Sequence, residues 1–175
     1  STTNADALQD IAYGSNGPQS GQVLVYNTTN QQWEPGTLGG GGGGITALAG
    51  RTSHSATSVN LAPGTYDNTL NIIAAKSYML ISVQVDAAAW VRLYSSDAAR
   101  TADINRSVGS DPAPGSGVIA EVLTTQAATQ ILTPFTLGGN TESPVSNVIY
   151  LTVENMDTVN NQQITTTLTL LKLED

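Results

Sequence analysis

The segment Lys-Ser-Tyr-Met-Leu-Ile-Ser-Val-Gln-Val-Asp, residues 76–86, decides the fold class. Its side chains alternate with a period of two: one face carries Met79, Ile81, Val83 and Val85, and the other carries Tyr78, Ser82, Gln84 and Asp86. Such alternation is typical of a β-strand with one buried face. Residues 90–94 continue the pattern, with Val91 and Leu93 opposite Trp90, Arg92 and Tyr94. We therefore expect two strands that form an antiparallel pair.

Strand patterns recur along the rest of the chain, at Thr57–Leu61, Thr69–Ile73, Val118–Thr124, Thr129–Thr133, Asn147–Asn155 and Ile164–Leu173. The last two have apolar faces formed by Ile149, Leu151 and Val153 and by Ile164, Leu168 and Leu170. Between the strands, residues 95–116 form a long excursion that is rich in charged residues, with one or two helical turns expected at Asp97–Asp103. About eight strands of ordinary length predict an all-β fold, an antiparallel β-sandwich that is jelly-roll-like.

The first 38 residues form a separate N-terminal segment, and residues 39–56 form a glycine-rich linker to the sandwich at 57–175. Six consecutive glycines, 39–44, lose much backbone entropy on ordering and carry no side chains to pack. A flexible linker is the first interpretation of this run. The alternative is a place where several chains converge too closely for a Cβ, although no Gly-X-Y period is present.

A single hairpin is predicted in the N-terminal segment, with strands at Gln22–Tyr26 and Gln32–Glu34 joined by a turn at Asn27–Asn30. A two-stranded hairpin is marginally stable in water, so its apolar side chains need another surface. We expect the body of the protein, other subunits or another protein to cover the apolar residues of this segment, which are Leu8, Ile11, Tyr13, Val23, Leu24, Val25, Tyr26 and Trp33.

Composition excludes several function classes. The formal net charge is −8, from 14 acidic and 6 basic residues, which argues against nucleic acid as a partner. The absence of cysteine excludes disulfides, thiolate metal sites and a cysteine nucleophile. The sequence has neither an intact secretory signal nor an apolar run near the about 20 residues of a membrane span.

The candidate chemical groups favour a structural role, and we expect neither an enzyme nor a cofactor. His54, the single histidine, is expected in an exposed loop, because no second nitrogen ligand or triad context accompanies it. Asp157–Asn161 only faintly resembles a calcium loop, and the glycine runs lack the lysine of a phosphate loop. Carboxylates near arginines have lowered pKa values, unlike a general acid. We expect ion pairs that pin the long loop to the sheet, formed by Arg92, Asp97, Arg100, Asp103, Arg106, Asp111 and Glu121.

Two stretches carry a resemblance. Leu8-Gln9-Asp10-Ile11, Gly21-Gln22-Val23-Leu24-Val25-Tyr26-Asn27 and Trp33-Glu34-Pro35-Gly36 resemble a short segment of fibre and appendage proteins of tailed bacteriophages. Ala89–Asp103, with Arg106, Asp111-Pro112, Gly117–Glu121 and Leu168–Glu174, is similar to a β-rich domain of phage virion proteins. The resemblance implies a virion component, a homotrimer on the exterior of the particle, whose N-terminal segment binds a capsid or tail protein.

The resemblance leaves head and tail open, and it implies a short fibre, appendage or capsid decoration because the sequence has no repeats. The alternative is a receptor-binding module that recognises host surface glycans through loops such as Pro112–Ser116 and Leu137–Ser146. A third hypothesis, an enzyme acting on polysaccharide, would use Asp97, Asp103 and Glu121 as its acids.

Overall fold

The computed structural model describes residues 22–29, 31–36 and 50–175, and the chain divides into two compact units, Ser1–Leu48 and Ala49–Asp175. In the first unit, strands β1 (Val23–Asn27) and β2 (Gln32–Gly36) form an antiparallel hairpin. Tyr26 pairs with Trp33 in its register, and the two rings meet edge to face with their centroids 5.3 Å apart.

Residues 50–175 form nine strands and one short helix. They are β3 (Arg51–Thr57), β4 (Tyr66–Asp67), β5 (Asn71–Ile73), β6 (Ser77–Val85), β7 (Ala89–Tyr94), α1 (Asp97–Ala102), β8 (Val118–Leu123), β9 (Ala128–Gly139), β10 (Val148–Asn155) and β11 (Thr165–Glu174). One sheet has the strand order β3-β11-β6-β9. The other has the order β4-β10-β7-β8, with β5 also paired to β10.

The strands of this second unit pair from the outside of the sequence inward. The first strand, β3, pairs with the last, β11, and β4 and β5 pair with β10. Next, β6 pairs with β9, and β7 pairs with β8, all antiparallel. This nested pairing over two sheets is the strand order of a jelly roll, which confirms the predicted fold class.

The apolar core lies between the two sheets and includes the predicted inner faces of three strands. Val91 and Leu93 come from β7. The other residues of these faces are Ile149, Leu151 and Val153 of β10 and, from the last part of the chain, Ile164, Leu168 and Leu170. Burial of each such side chain contributes about 1.5–3 kcal/mol, so these faces supply much of the free energy that holds the sheets together.

The predicted inner face of β6 is wrong in its first half. The core receives Tyr78 and Leu80, and then Val83 and Val85, whereas Met79 is only partly buried and lies outside the core. The register of β6 shifts between Leu80 and Ser82 against both of its neighbours. This β-bulge reverses the alternation of side chains, which a strict period of two cannot represent.

The predicted pairing of β6 with β7 is also wrong, because the two strands belong to different sheets. Residues 86–88 carry the chain from one sheet to the other. Each strand has an apolar inner face that needs cover, and crossing between sheets lets the two faces contact each other through the core.

The linker boundary requires a correction as well. Residues 51–57 form strand β3, although the sequence assigns residues 39–56 to a linker and starts a strand at Thr57. Polar side chains dominate β3, which pairs on one side only, with β11, and is half exposed. Hydrophobic alternation is therefore weak there. After Thr57 the chain leaves the sheet, and Leu61 forms one isolated bridge to Gln162.

Candidate functional site

The long connection from β7 to β8 covers the outer face of the five-stranded sheet. Trp90, Arg92 and Tyr94 point to this face from β7, and all three are nearly inaccessible to solvent. The connection begins with α1, whose N-cap is Ser96: its Oγ accepts a hydrogen bond of 3.1 Å from the Ala99 N–H. Together with Asp97 in the first turn, this cap explains why a helix of six residues forms here.

Arg92 is the most deeply buried charged residue of this region, with 0% of its side chain exposed. Its Nη1 donates to the Asp103 carbonyl at 3.1 Å and lies 3.5 Å from Asp103 Oδ2. Glu154 on β10 lies 4.0 Å from Nη2. No described residue accepts a hydrogen bond from Nε or Nη2 of Arg92, whose guanidinium stacks on the Trp90 ring.

Asp103 connects Arg92 of β7 to the loop. Its carboxylate accepts hydrogen bonds from Arg106 Nε at 2.8 Å and from the Tyr94 hydroxyl at 2.9 Å. Burial alone would raise the pKa of Asp103, but these hydrogen bonds and the charges of Arg106 and Arg92 hold the pKa below its usual value. Burial is also the main cause that raises the pKa of Tyr94 to about 12.

Arg106 fastens the middle of the loop to β8. Its Nη1 donates to Glu121 Oε2 at 2.8 Å and to the Ser110 carbonyl at 2.7 Å. The same Glu121 oxygen accepts a hydrogen bond of 3.3 Å from Trp90 Nε1. One carboxylate therefore ties the loop arginine to the tryptophan of β7.

Arg100 fastens α1 to the other side of the sheet. Its Nη1 donates to the Leu70 carbonyl and to Asn71 Oδ1, both at 3.0 Å, and its Nη2 pairs with Asp97. Glu142, from the loop before β10, accepts a hydrogen bond of 3.0 Å from the Asp97 N–H. Glu142 also accepts one of 2.8 Å from the Tyr150 hydroxyl, which connects a second loop to the cluster.

The structure brings six of the seven residues expected to pin the loop into two groups, one around Trp90 and one around Arg100. The exception is Asp111, which is exposed and forms no ion pair with any residue in the described ranges. Arg106, the nearest arginine in sequence, pairs with Asp103 and Glu121 instead of Asp111. Sequence reasoning missed Glu142 and Glu154, because an acidic residue in a distant loop or strand carries no local signal of its partner.

Arginines hold the carboxylates of this cluster, and the contacts fasten the loop to the sheet. Asp103 and Glu121 are both bonded to Arg106, and the pKa of Asp103 is lowered, opposite to what a general acid needs. Glu154 differs, because burial raises its pKa more than the charge of Arg92 lowers it. It faces Nη2 of Arg92, while Asp103 lies against Nη1 of the same guanidinium.

His54 lies on β3, not in the exposed loop that the sequence predicts. It is half buried, and its Nε2 is 3.1 Å from Thr52 Oγ1. Across the described ranges, no group of three His, Asp or Glu side chains is arranged to hold a metal ion.

The apolar side chains of the hairpin are a second candidate site. Val23, Leu24, Val25 and Tyr26 are 38–46% exposed, and Trp33 is 49% exposed. Val23 to Tyr26 occupy consecutive positions of β1, so apolar groups project from both faces of the hairpin, and Trp33 lies opposite Tyr26 on β2. Leu8, Ile11 and Tyr13, also predicted for attachment, lie outside the described residues.

An open depression of about 420 Å³ lies at one end of the jelly roll. Three loops form it, contributing among others Leu123, Thr124, Met156 and Asp157. Asp157 accepts hydrogen bonds from the backbone of Asn160 and Val159, which lower its pKa to about 2. Its carboxylate is therefore ionised at neutral pH. The loops predicted for glycans, Pro112–Ser116 and Leu137–Ser146, do not line this depression.

No protein-family model matches the sequence, and a search of curated proteins gives no match. None of the helices in the described part of the chain is long and apolar enough to cross a membrane.

Proposed function

We propose that this chain is a structural component of a bacteriophage virion, a short fibre, appendage or capsid decoration. Its N-terminal segment binds a capsid or tail protein, its jelly roll is displayed on the exterior of the particle, and the assembly is a homotrimer. The resemblance of residues 8–36 and 57–174 to phage proteins motivates this proposal, and the division into a hairpin unit and a jelly-roll unit is compatible with it.

The observation that carries the proposal is the exposure of the hairpin. Four consecutive apolar residues of β1, Val23 to Tyr26, and Trp33, which faces Tyr26, keep between 38% and 49% of their surface in contact with water. Two strands with a single edge-to-face aromatic pair have little core of their own. Exposed apolar surface of this kind typically marks a protein interface, so a partner that covers both faces of the hairpin would stabilise it.

Incorporation into particles tests the attachment role. Particles assembled with a chain lacking residues 1–38, or with Tyr26→Ser/Trp33→Ser, should contain at least about tenfold less of this protein, since exposed aromatics of this kind often dominate binding. Thr28→Ala, which alters a polar turn residue of the same hairpin, serves as the control and should be incorporated normally. Normal incorporation of the double variant would refute the attachment role of the hairpin.

A second candidate function is recognition of host surface glycans, which the depression at the end of the jelly roll favours. Its lining combines the exposed apolar side chain of Leu123 with the threonine hydroxyls and the ionised Asp157, a combination suited to a sugar ring and its hydroxyls. A glycan array probed with the wild-type chain and with Leu123→Asp tests it. Binding that the substitution abolishes supports glycan recognition, and the absence of any binding by the wild-type chain contradicts it.

A further inference from the structure

The outer face of the four-stranded sheet differs from that of its partner sheet, because no described loop covers it. On β11, Thr166, Leu168 and Leu170 are buried towards the core, so Thr165, Thr167 and Thr169 point outward. On β3, the residues opposite these threonines are Thr57, Ser55 and Ser53.

These six side chains form three facing pairs of hydroxyl groups. The oxygens are 3.1 Å apart in Ser53–Thr169, 2.7 Å in Ser55–Thr167 and 3.1 Å in Thr57–Thr165. Removing water from hydroxyls that are hydrogen-bonded to one another costs less free energy than removing it from free hydroxyls. This surface, which we name the hydroxyl face, can therefore be buried at low cost.

The hydroxyl face continues across the sheet and becomes apolar at β9. Across the sheet, Thr169 pairs with Ser82, and Ser82 pairs with Ile131 of β9. In the next row of outward-pointing residues, the residue on β9 is Leu137. Ile131 is 62% exposed and Leu137 is 69% exposed. Exposed apolar side chains without charged neighbours are typical of the centre of a protein interface.

The hydroxyl face also lacks charge. Among the described residues, its rows contain no charged side chain between Arg51 at one end and Asp86 at the other. The whole chain has a formal net charge of −8, so copies that approach through acidic surfaces repel each other. A neutral face allows copies of the same chain to meet without bringing like charges together.

The exposed edge of the sheet at β9 is poorly suited to contact between copies of the chain. Between Ile131 and Thr136 the register of β9 shifts, and this irregular segment contains Pro134. Proline and bulges on an edge strand prevent the addition of another strand. Contact between copies is therefore better served by the face of the sheet than by its edge.

We propose that copies of this chain associate through the hydroxyl face, with the apolar border at Ile131 and Leu137 buried between them. This inference rests on the homotrimer of the proposed function and assigns its interface to the jelly roll. The outer face of the other sheet, which the loop of residues 95–117 covers, stays outside that interface.

Charge placed on the face tests the inference in the full-length chain. Gln84 is exposed and pairs in register with Thr167 of the hydroxyl face and with Thr129 of β9. Gln84→Glu should raise the dissociation constant of the assembly by about tenfold, and Gln84→Glu/Leu137→Glu by about a hundredfold or more, because like charges then meet at the interface. The control is Gln126→Glu, which adds the same charge in the β8–β9 loop and should leave association unchanged.

Analytical ultracentrifugation gives the mass of each variant, and circular dichroism verifies that the fold is retained. A wild-type assembly about three times the mass of one chain, with the double variant at the mass of one chain, supports the inference. A wild-type chain that remains single at every concentration, or a double variant that keeps the wild-type mass, would overturn it. Tyr26→Ser/Trp33→Ser should keep the assembled mass while failing to join particles, so failure of this interface and failure of the attachment role give different results.

Discussion

The guanidinium carbon of Arg92 lies 4.0 Å from the centroid of the Trp90 ring, and that of Arg106 lies 5.0 Å from the same centroid. Arg92 belongs to the sheet and Arg106 to the loop that covers it. Both cations therefore contact the ring of Trp90. Cation–π attraction compensates in part for the hydrogen bonds that the buried Arg92 guanidinium does not form.

Arg92→Met should destabilise the protein strongly. The substitution removes the cation from a buried cluster and leaves Asp103 and Glu154 with less compensation, and breaking such a pair typically costs about 3–5 kcal/mol. Arg51→Met, at an exposed position of β3, should change the free energy of unfolding by less than about 0.5 kcal/mol. Urea unfolding of both variants measures the difference, and equal effects would contradict the structural role of Arg92.

Acid should weaken the attachment of the loop through Asp103. Because folding lowers the pKa of Asp103 below 3.8, its contribution to stability is present above pH 3.8 and is lost as the pH falls through the folded-state pKa. Asp103→Asn should cost about 2 kcal/mol at pH 7, where charged hydrogen bonds are lost, and less at lower pH.

The matched control for this pH dependence is Asp111→Asn, since Asp111 is an exposed aspartate of the same loop. Its stability curve between pH 7 and pH 2 should follow that of the wild type. If Asp103→Asn also follows the wild type over this range, Asp103 does not hold the loop.

Two tyrosine-to-phenylalanine substitutions should have opposite signs. The Tyr78 hydroxyl is buried without a hydrogen-bond partner among the described residues, so Tyr78→Phe removes an unsatisfied group and should stabilise by about 1 kcal/mol. The Tyr94 hydroxyl donates to Asp103 at 2.9 Å, so Tyr94→Phe should destabilise by about 1–2 kcal/mol. Thermal denaturation of the two variants measures the shift in Tm. Shifts in the same direction would contradict the opposite roles of the two hydroxyl groups.

Gly138→Ala should destabilise because the residue lies against a buried ring. A Cβ on Gly138 would lie 2.5 Å from Cζ of Tyr78, which is packed in the core and cannot move away freely. We expect a loss of about 1–3 kcal/mol from overpacking. Gly50→Ala is the control, since a Cβ there meets no atom within 4 Å. Chemical denaturation should therefore separate the two alanine variants, and similar midpoints would contradict close packing at Gly138.

The fold was predictable where each strand has a regular pattern that extends to its end. The inner faces of β7, β10 and β11 follow a strict alternation, and their apolar residues, from Val91 to Leu170, lie in the core as predicted. The face of β6 was not predictable before its bulge, because one inserted residue at the Leu80–Ser82 step reverses the alternation without changing the composition. Strand β3 was missed because its hydroxyl-rich sequence resembles a loop.

The pinning of the loop could be predicted only in part. Arginines and carboxylates in one segment made ion pairs the natural expectation, and Arg100, Arg106 and Asp103 form them. Their choice of partners depends on which strands lie beneath the loop, so Glu142 and Glu154 could not be read from the sequence. Asp111 is the opposite case: it is close to Arg106 in sequence and was predicted to form an ion pair, but it is exposed to solvent.

The pairing of β3 with β11 has a consequence for biosynthesis. Among the described strands, β3 pairs only with β11, whose residues are translated more than a hundred positions later. The earliest strand of the jelly roll must therefore wait on the ribosome, without its partner, until almost the entire domain has been translated. Completion of this sheet is therefore a late event in the folding of the jelly roll, and the polar side chains of β3 leave little apolar surface exposed before then.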